Sequence, residues 1–431
     1  MHRREFMNSA LAGIASAKGL FGPVTTPLGA PDWRAAFPAL SQQINGHPLT
    51  YLDTAATSLR PQSVIDALAH FYSTDNANPG EKLHTLARRA HIALESSRAA
   101  VASFIGAREA MEVVFTRGTT EALNLVAATW GAANVRAGDE ILIGIAEHSS
   151  NMLPWRFLAN RVGAQLRYFD IDDDGRPRLE DIERQLTSRT RIVAFSHVSN
   201  VLGMINPARE ICESVRAPGR IVVIDGAQSV PHIAVSVADL GCDFFAFSSH
   251  KMLGPMGVGV LWGRRELLDA MPPYQSGSNM AHDVDLNQAH LSTAALKFGA
   301  GTPNVCGPVG LAAAIAFLKQ VGHVAMREHE VLINTLMFER LSHIRQVRVL
   351  GSNDARERVS VFSLAVDGVP PAEVLSRLDT AGIAIRAGDL ASLPLLKRLG
   401  VASAARASCY LYTSHADIDR FAEALQRATR G

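Results

Sequence analysis

The chain has 431 residues, 47% apolar and 19% charged, which is more than a single small core requires, so a large domain with a smaller companion is expected. Its 42 basic and 41 acidic residues give no electrostatic case for nucleic acid or an anionic membrane surface, which leaves a small-molecule partner. The four cysteines, Cys212, Cys242, Cys306 and Cys409, contain no Cys-x-x-Cys pair and indicate neither a zinc site nor a disulfide framework, so no metal is expected.

In chain order, Arg3-Arg4-Glu5-Phe6-Met7 and the small or apolar stretch over 9–22 resemble a twin-arginine export signal. Residues 1–30 are therefore set apart from the fold and a periplasmic location is expected. The alternative is a disordered amphipathic N-terminus on a cytoplasmic protein. No other stretch approaches the ~20 apolar residues of a membrane span, so the mature protein is expected to be soluble.

A large domain is expected over 31–315, with 31–75 packing on the smaller domain, and the small domain over 316–431. Tyr51 to Ser58 reads as a strand entering a small-residue turn. A helix over 61–72 follows, then a Pro/Gly-containing loop over 76–82 that could lie over a site. Five near-continuous apolar runs come next, at 112–115, 141–143, 192–195, 221–224 and 244–247, separated by helix-length stretches. This is the pattern of an α/β fold, a mostly parallel sheet covered by helices on both faces. Beyond it, strands are predicted over 359–364, 383–386 and 407–412, with helices over 371–381 and 417–428. Ser414 and Asp417 form a capping-box start for the last helix.

Each apolar run ends in polar residues. Arg117-Gly118-Thr119-Thr120-Glu121 follows the first and Glu147-His148 the second. Asn200 follows the third, Asp225-Gly226-Ala227-Gln228 the fourth, and Ser248-Ser249-His250-Lys251 the fifth. Ligands of open α/β sheets bind beyond the carboxyl ends of strands, so these clusters are expected to converge. Taken singly, the Gly-Thr-Thr-Glu run reads equally as a helix cap and Asp225 as a turn residue.

Pyridoxal phosphate needs such a set: an amine for its aldehyde, a carboxylate for its ring nitrogen and donors for its phosphate. Lys251, partly desolvated at a strand tip, supplies the amine, and Asp225 the carboxylate. Thr119 and Thr120 open a helix whose positive end suits phosphate, with Ser248 and His250 adding hydrogen bonds. Gln228 is placed for the ring hydroxyl and His148 for the ring face. Arg406 reads either as a surface ion pair or as a bidentate carboxylate clamp.

These stretches, with His197-Val198-Ser199-Asn200-Val201-Leu202-Gly203, Gly301-Thr302-Pro303-Asn304 and Arg406-Ala407-Ser408, resemble the fold-type I, class V aminotransferase superfamily. Within it the likeness is to the SufS-type cysteine desulfurases and selenocysteine lyases. The resemblance covers the chain from about Trp33 onward. It implies a pyridoxal phosphate enzyme with Lys251 as the Schiff-base lysine and Asp225 as the pyridinium partner. It implies His148 as a stacking, proton-shuttling imidazole, and Asn200, Arg406 and Arg386 as holders of the substrate carboxylate. It also implies a homodimer in which Thr302 reaches the neighbouring subunit's phosphate.

The sequence departs from that family at two places. Ala391, in Arg386-Ala387-Gly388-Asp389-Leu390-Ala391-Ser392, stands where the desulfurases carry a nucleophilic cysteine, and Gly80-Glu81 stands where His-Arg is frequent. A methyl group cannot accept sulfur. The expected activity is therefore β-elimination of C–S lyase type on an amino acid, through an external aldimine and α-proton abstraction. The alternatives are an epimerase, an aminotransferase, or a true desulfurase or selenocysteine lyase lacking the loop cysteine. A further alternative is a catalytically idle accessory partner in sulfur trafficking.

Overall fold

Strands that are apolar on both faces need a layer of helices on each side, and the apolar runs are used in that way. The computed structural model describes residues 33–430, and the predicted export segment over 1–30 lies outside the described residues. Strands β1 (Val113–Thr116), β2 (Glu140–Gly144), β3 (Gln165–Phe169), β4 (Thr190–Ser196), β5 (Ile221–Asp225), β6 (Phe244–Ser248) and β7 (Gly259–Gly263) form one sheet, ordered β1-β7-β6-β5-β4-β2-β3. The strands from β6 through β5, β4 and β2 to β3 pair parallel, while β7 runs antiparallel between β6 and β1.

Alternation along the strands divides their side chains between two cores. Leu142, Phe195, Ile224, Phe245 and Phe247 enter one, and Ile143, Ala194, Val223, Phe244 and Ala246 the other. Helix α1 (Gln62–His70) and helix α2 (Thr85–Phe104) precede the sheet. Helix α3 (Thr119–Val126) and helix α4 (Leu153–Val162) give Leu123, Val126, Trp155 and Leu158 to the second core. Helix α5 (Cys306–Val321) gives Leu311, Ile315 and Leu318 to the first.

Helix α5 runs through positions 315 and 316 and ends at Val321; Gly322, at φ 79°, separates it from helix α6 (His323–Ser342), bent 77° from it. Among the described residues no single helix is long and apolar enough to cross a membrane. Strands β8 (Val347–Val349), β9 (Val361–Val366), β10 (Arg386–Gly388) and β11 (Ala404–Ser408) make a second, antiparallel sheet ordered β8-β9-β11-β10. Helices α7 (Pro371–Thr380), α8 (Leu393–Arg398) and α9 (His415–Ala428) accompany it. Ser414 and Asp417 make both bonds of the capping box at α9.

Three expectations are corrected. The strand read over 407–412 is β11, Ala404–Ser408; beyond it the chain turns, and Tyr410 and Tyr412 are buried with Tyr410 Oη donating to Pro231 O at 2.7 Å. The run over 383–386 divides: Ile383–Ala384 pairs in parallel with Thr50–Tyr51, while Arg386 begins β10. The helix read over 61–72 ends at His70, and one wide turn, Phe71–Asp75, continues it. Arg34 donates to Asp417 at 2.6 Å, so the first described residues lie against α9.

One glycine brings the sheet against the loop that opens α3. Gly259 of β7 pairs with Ser248 and Thr116, and a Cβ on it would stand 2.4 Å from Gly118 Cα. Backbone cannot swing aside as a side chain can. Gly259→Ala is expected to destabilise the fold by about 1–3 kcal/mol, measured by chemical denaturation; unchanged stability would refute the contact.

Candidate active site

Strand β6 carries five buried residues and then turns through Ser249–Lys251. The turn is held from outside the sheet. His250 O accepts from Ser58 N at 2.9 Å, Thr57 Oγ1 at 3.0 Å and Ser58 Oγ at 3.1 Å. Ser58 Oγ in turn accepts from Leu253 N at 2.8 Å, which fixes Leu253 in the left-handed region at φ 70°. Lys251 is thereby presented at the strand's end with little freedom of backbone.

A cavity of about 430 Å³ opens there, within the range of small-molecule sites. Thr119, Thr120, His148, Asp225, Gln228, Ser248, His250 and Lys251 all line it, as do Asn200, Arg386 and Arg406. The predicted site residues from five strand ends and from the second sheet are therefore together. Thr302 is apart. It is exposed and lines a second cavity of about 370 Å³ with Arg117 and Tyr274. Gly80 and Glu81 line neither cavity, nor does the loop over 76–82.

Burial sets the charges. Lys251 keeps some solvent contact through the cavity, but desolvation lowers its pKa from 10.5 to about 8, with Asp225 opposing and Arg406 reinforcing the shift. Desolvation raises Asp225, while the Ala227 amide, at 2.9 Å from Oδ1, and Lys251 both favour its charged form. His148 and His250 fall to about 4, again mainly by desolvation, so both imidazoles are neutral near pH 7. His148 Nδ1 accepts from Ser150 N at 3.1 Å, which leaves the proton on Nε2.

At the other end of the cavity Ser248 Oγ accepts from Thr119 N at 2.8 Å and shares a 2.7 Å bond with Thr119 Oγ1. Thr120 Oγ1 and Ser150 Oγ are 2.8 Å apart. The first-turn amides of α3 add positive potential, a setting for an anion.

Asn200 and Gln228 are more committed than the sequence suggests. The Asn200 amide donates to Leu390 O at 2.9 Å, and its Oδ1 accepts from Ser392 Oγ at 3.2 Å, so both polar ends hold the loop that carries Ala391. Ser149 N donates to Ala391 O at 2.7 Å. Leu390 and Ala391 both sit in the left-handed region, at φ 52° and 54°, a conformation unfavourable for residues with a Cβ. Gln228 Nε2 donates to Ala55 O at 2.8 Å.

The sequence assigns no individual role to Asp53, Glu147 or Asp389, although Glu147 falls in one of the clusters expected to converge. Asp53 binds Arg386 through two bonds of 3.1 and 2.7 Å and lies 3.7 Å from Arg406. Its signal was an acid inside an otherwise small-residue turn. Glu147 is buried, bonded to Asn151 Nδ2 at 2.6 Å and Ser196 Oγ at 3.3 Å, and pushed up to about 8, first by desolvation. Asp389 Oδ1 accepts from Ala391 N at 3.0 Å.

The donor set fits pyridoxal phosphate. The cavity offers an amine, a buried carboxylate and a phosphate-sized cluster of hydroxyls and amides. Gln228 Oε1 and Arg406 Nε are buried and find no hydrogen-bond partner among the described residues, which is the condition of polar atoms that serve a ligand.

The model of the family described as aminotransferase class-V matches residues 50–421. A cysteine desulfurase of Synechococcus elongatus is 43% identical over 400 residues, 92% of this chain and 63% of that protein. A cysteine desulfurase of Dickeya dadantii is 43% identical over 398 residues, 92% of this chain and 96% of that one. The solved structure of a cysteine desulfurase from Thermococcus onnurineus superposes with a TM-score of 0.86 at 35% identity, covering 92% of this chain and 98% of that one.

The depressed pKa of Lys251 gives a pH signature. Modification of the cofactor-free protein by an amine-reactive reagent, mapped to Lys251 by mass spectrometry, should rise through about pH 8 and not near 10.5. Asp225→Asn removes the charge that favours the ammonium form and should move this midpoint to lower pH. A midpoint near that of a surface lysine would contradict the assignment.

Proposed function

The chain belongs to the class-V aminotransferase family, in its cysteine desulfurase branch, a group of pyridoxal phosphate enzymes, and we propose that it is a lyase removing a β-substituent from an amino acid. The observation that carries this reading is one cavity holding a lysine of lowered pKa, a buried carboxylate and a buried arginine, with an alanine on the loop beside them.

When bound, pyridoxal phosphate supplies an aldehyde carbon and an electron-poor ring that takes up negative charge. Thr119, Ser248, His250 and the first turn of α3 would hold its phosphate, Asp225 its protonated ring nitrogen and His148 the ring face. Arg406, whose Nε is unpartnered among the described residues, would bind the amino acid's carboxylate. Lys251 holds enough neutral amine near pH 7 to take the α-proton at its Nζ. Departure of the β-substituent with its bonding electrons follows. Ala391 favours this outcome over sulfur transfer to the protein, because its methyl accepts no sulfur and all four cysteines are buried. We further propose a homodimer, supported by the exposure of Thr302 outside the cavity of its own subunit.

With cysteine or cysteine conjugates the holoenzyme should release pyruvate in step with the sulfur-bearing product. Lys251→Ala should stay colourless after reconstitution and lose this activity. Alanine without pyruvate, or racemisation without either, would overturn the elimination reading. Thr302→Ala should weaken cofactor retention in a protein that light scattering reports as a dimer; a monomer with full retention would refute the shared site.

A further inference from the structure

Arg386 of β10 and Arg406 of β11 stand directly opposite one another in antiparallel register. Cross-strand partners share a face of the sheet, and like charges placed so repel. Asp53 resolves the conflict. Its segment lies alongside Ser408, two residues on from Arg406 and on the same face, with Ser408 N donating to Leu52 O at 2.7 Å. From there the Asp53 carboxylate takes two bonds from Arg386 and approaches Arg406 at 3.7 Å. Asp53 is 8% exposed and Arg406 3%, whereas the Arg386 side chain is half exposed at the cavity's mouth.

The pairing is unequal. Arg386 gives Asp53 its Nε and Nη2, the geometry of a saturated guanidinium–carboxylate pair. Arg406 donates to Asn200 O at 2.9 Å through Nη1, and its Nε has no partner among the described residues. Two guanidiniums and one carboxylate leave one positive charge, and it resides on the buried arginine that lines the cavity. The other charged groups facing this space are Lys251 and Asp225, of opposite sign, and the carboxylate of Asp389, which is exposed and accepts from the Ala391 amide; the single surplus charge is that of the Arg386–Asp53–Arg406 cluster alone.

We propose that Asp53 is a specificity-determining residue: placed between Arg386 and Arg406, it leaves this pair of guanidiniums one uncompensated positive charge and so fits it to amino acids with a single carboxylate and an uncharged side chain. Without Asp53, Arg386 would be released into the mouth of the cavity as a second anion receptor, and a side-chain carboxylate would find a partner there. An acid that neutralises the surplus cation acts against the wrong ligand as much as for the right one. The substrate part of this assignment rests on the amino-acid reading above; the charge arithmetic does not.

The test uses holoenzyme with two ligand pairs: L-alanine against L-aspartate, read from the visible absorbance, and propionate against succinate, read by calorimetry. Wild type should favour the monocarboxylate of each pair. Asp53→Asn, which preserves shape, should shift the affinity ratio toward the dicarboxylate by about 10-fold or more. Arg386→Met leaves Asp53 to neutralise Arg406 and should weaken both acids. The double variant Asp53→Asn with Arg386→Met again leaves one positive charge and should return the ratio to that of wild type. An unchanged ratio in Asp53→Asn, failure of the double variant to restore it, or no binding of either simple acid would overturn the proposal. If propionate and succinate follow the pattern while amino acids leave the absorbance unmoved, the amino-acid reading fails and the charge assignment stands.

Discussion

A lysine amine beside a carboxylate at the end of a buried strand is the constraint to which the rest of the molecule answers. Neither group is comfortable there. Burial pulls Lys251 toward its neutral form and Asp225 toward its protonated one, while their attraction opposes both tendencies. The balance leaves an amine that exchanges protons near neutral pH, which a fully solvated or a tightly paired lysine would not do. Such a balance survives only if water is kept out and the backbone does not move.

Both conditions are met by apolar packing and not by the charged groups themselves. Helices cover each face of β4, β5 and β6, so polar groups at the centre of the sheet are confined to the strand ends, and the site takes the carboxyl ends. Ser58 fastens the turn after β6 from a segment that also pairs with Ile383–Ala384 and bridges to Ser408 of β11. The loop over 389–392 is fastened by Asn200, Ser149 and Asp389, enough bonds to keep two residues left-handed. Backbone strain of this kind persists only where the surroundings over-determine it.

Much of this arrangement is legible in the sequence because it rests on local signals. Apolar runs broken by polar tips mark β1, β2, β4, β5 and β6, and Ser414 with Asp417 marks the start of α9. The edge strand β3 escapes that reading because the exposed Gln165 and Tyr168 and the half-buried Arg167 interrupt its apolar run. Strand β7 escapes it because its place, antiparallel beside β6, depends on a turn that the chain makes only in three dimensions. The site shows the same division. Lys251, Asp225, His148 and the Gly118–Thr120 turn are announced by what precedes them. Asp53 and Asn200 take their partners from residues 333 and 190 positions away, and no window of sequence contains both ends of such a bond.

Asp225 is the last residue of β5, opposite Ser196 on one side and Ala246 on the other. In a pleated sheet a shift of pairing by a single position turns every side chain to the reverse surface. A slipped β5 would keep its hydrogen-bond ladder and most of its hydrocarbon burial, yet point its acid into the opposite layer of helices, away from the amine. The valines, isoleucines and phenylalanines along these strands thus act as an alignment code for the catalytic edge, so that mispairing is penalised by misplaced bulk before any chemistry is attempted.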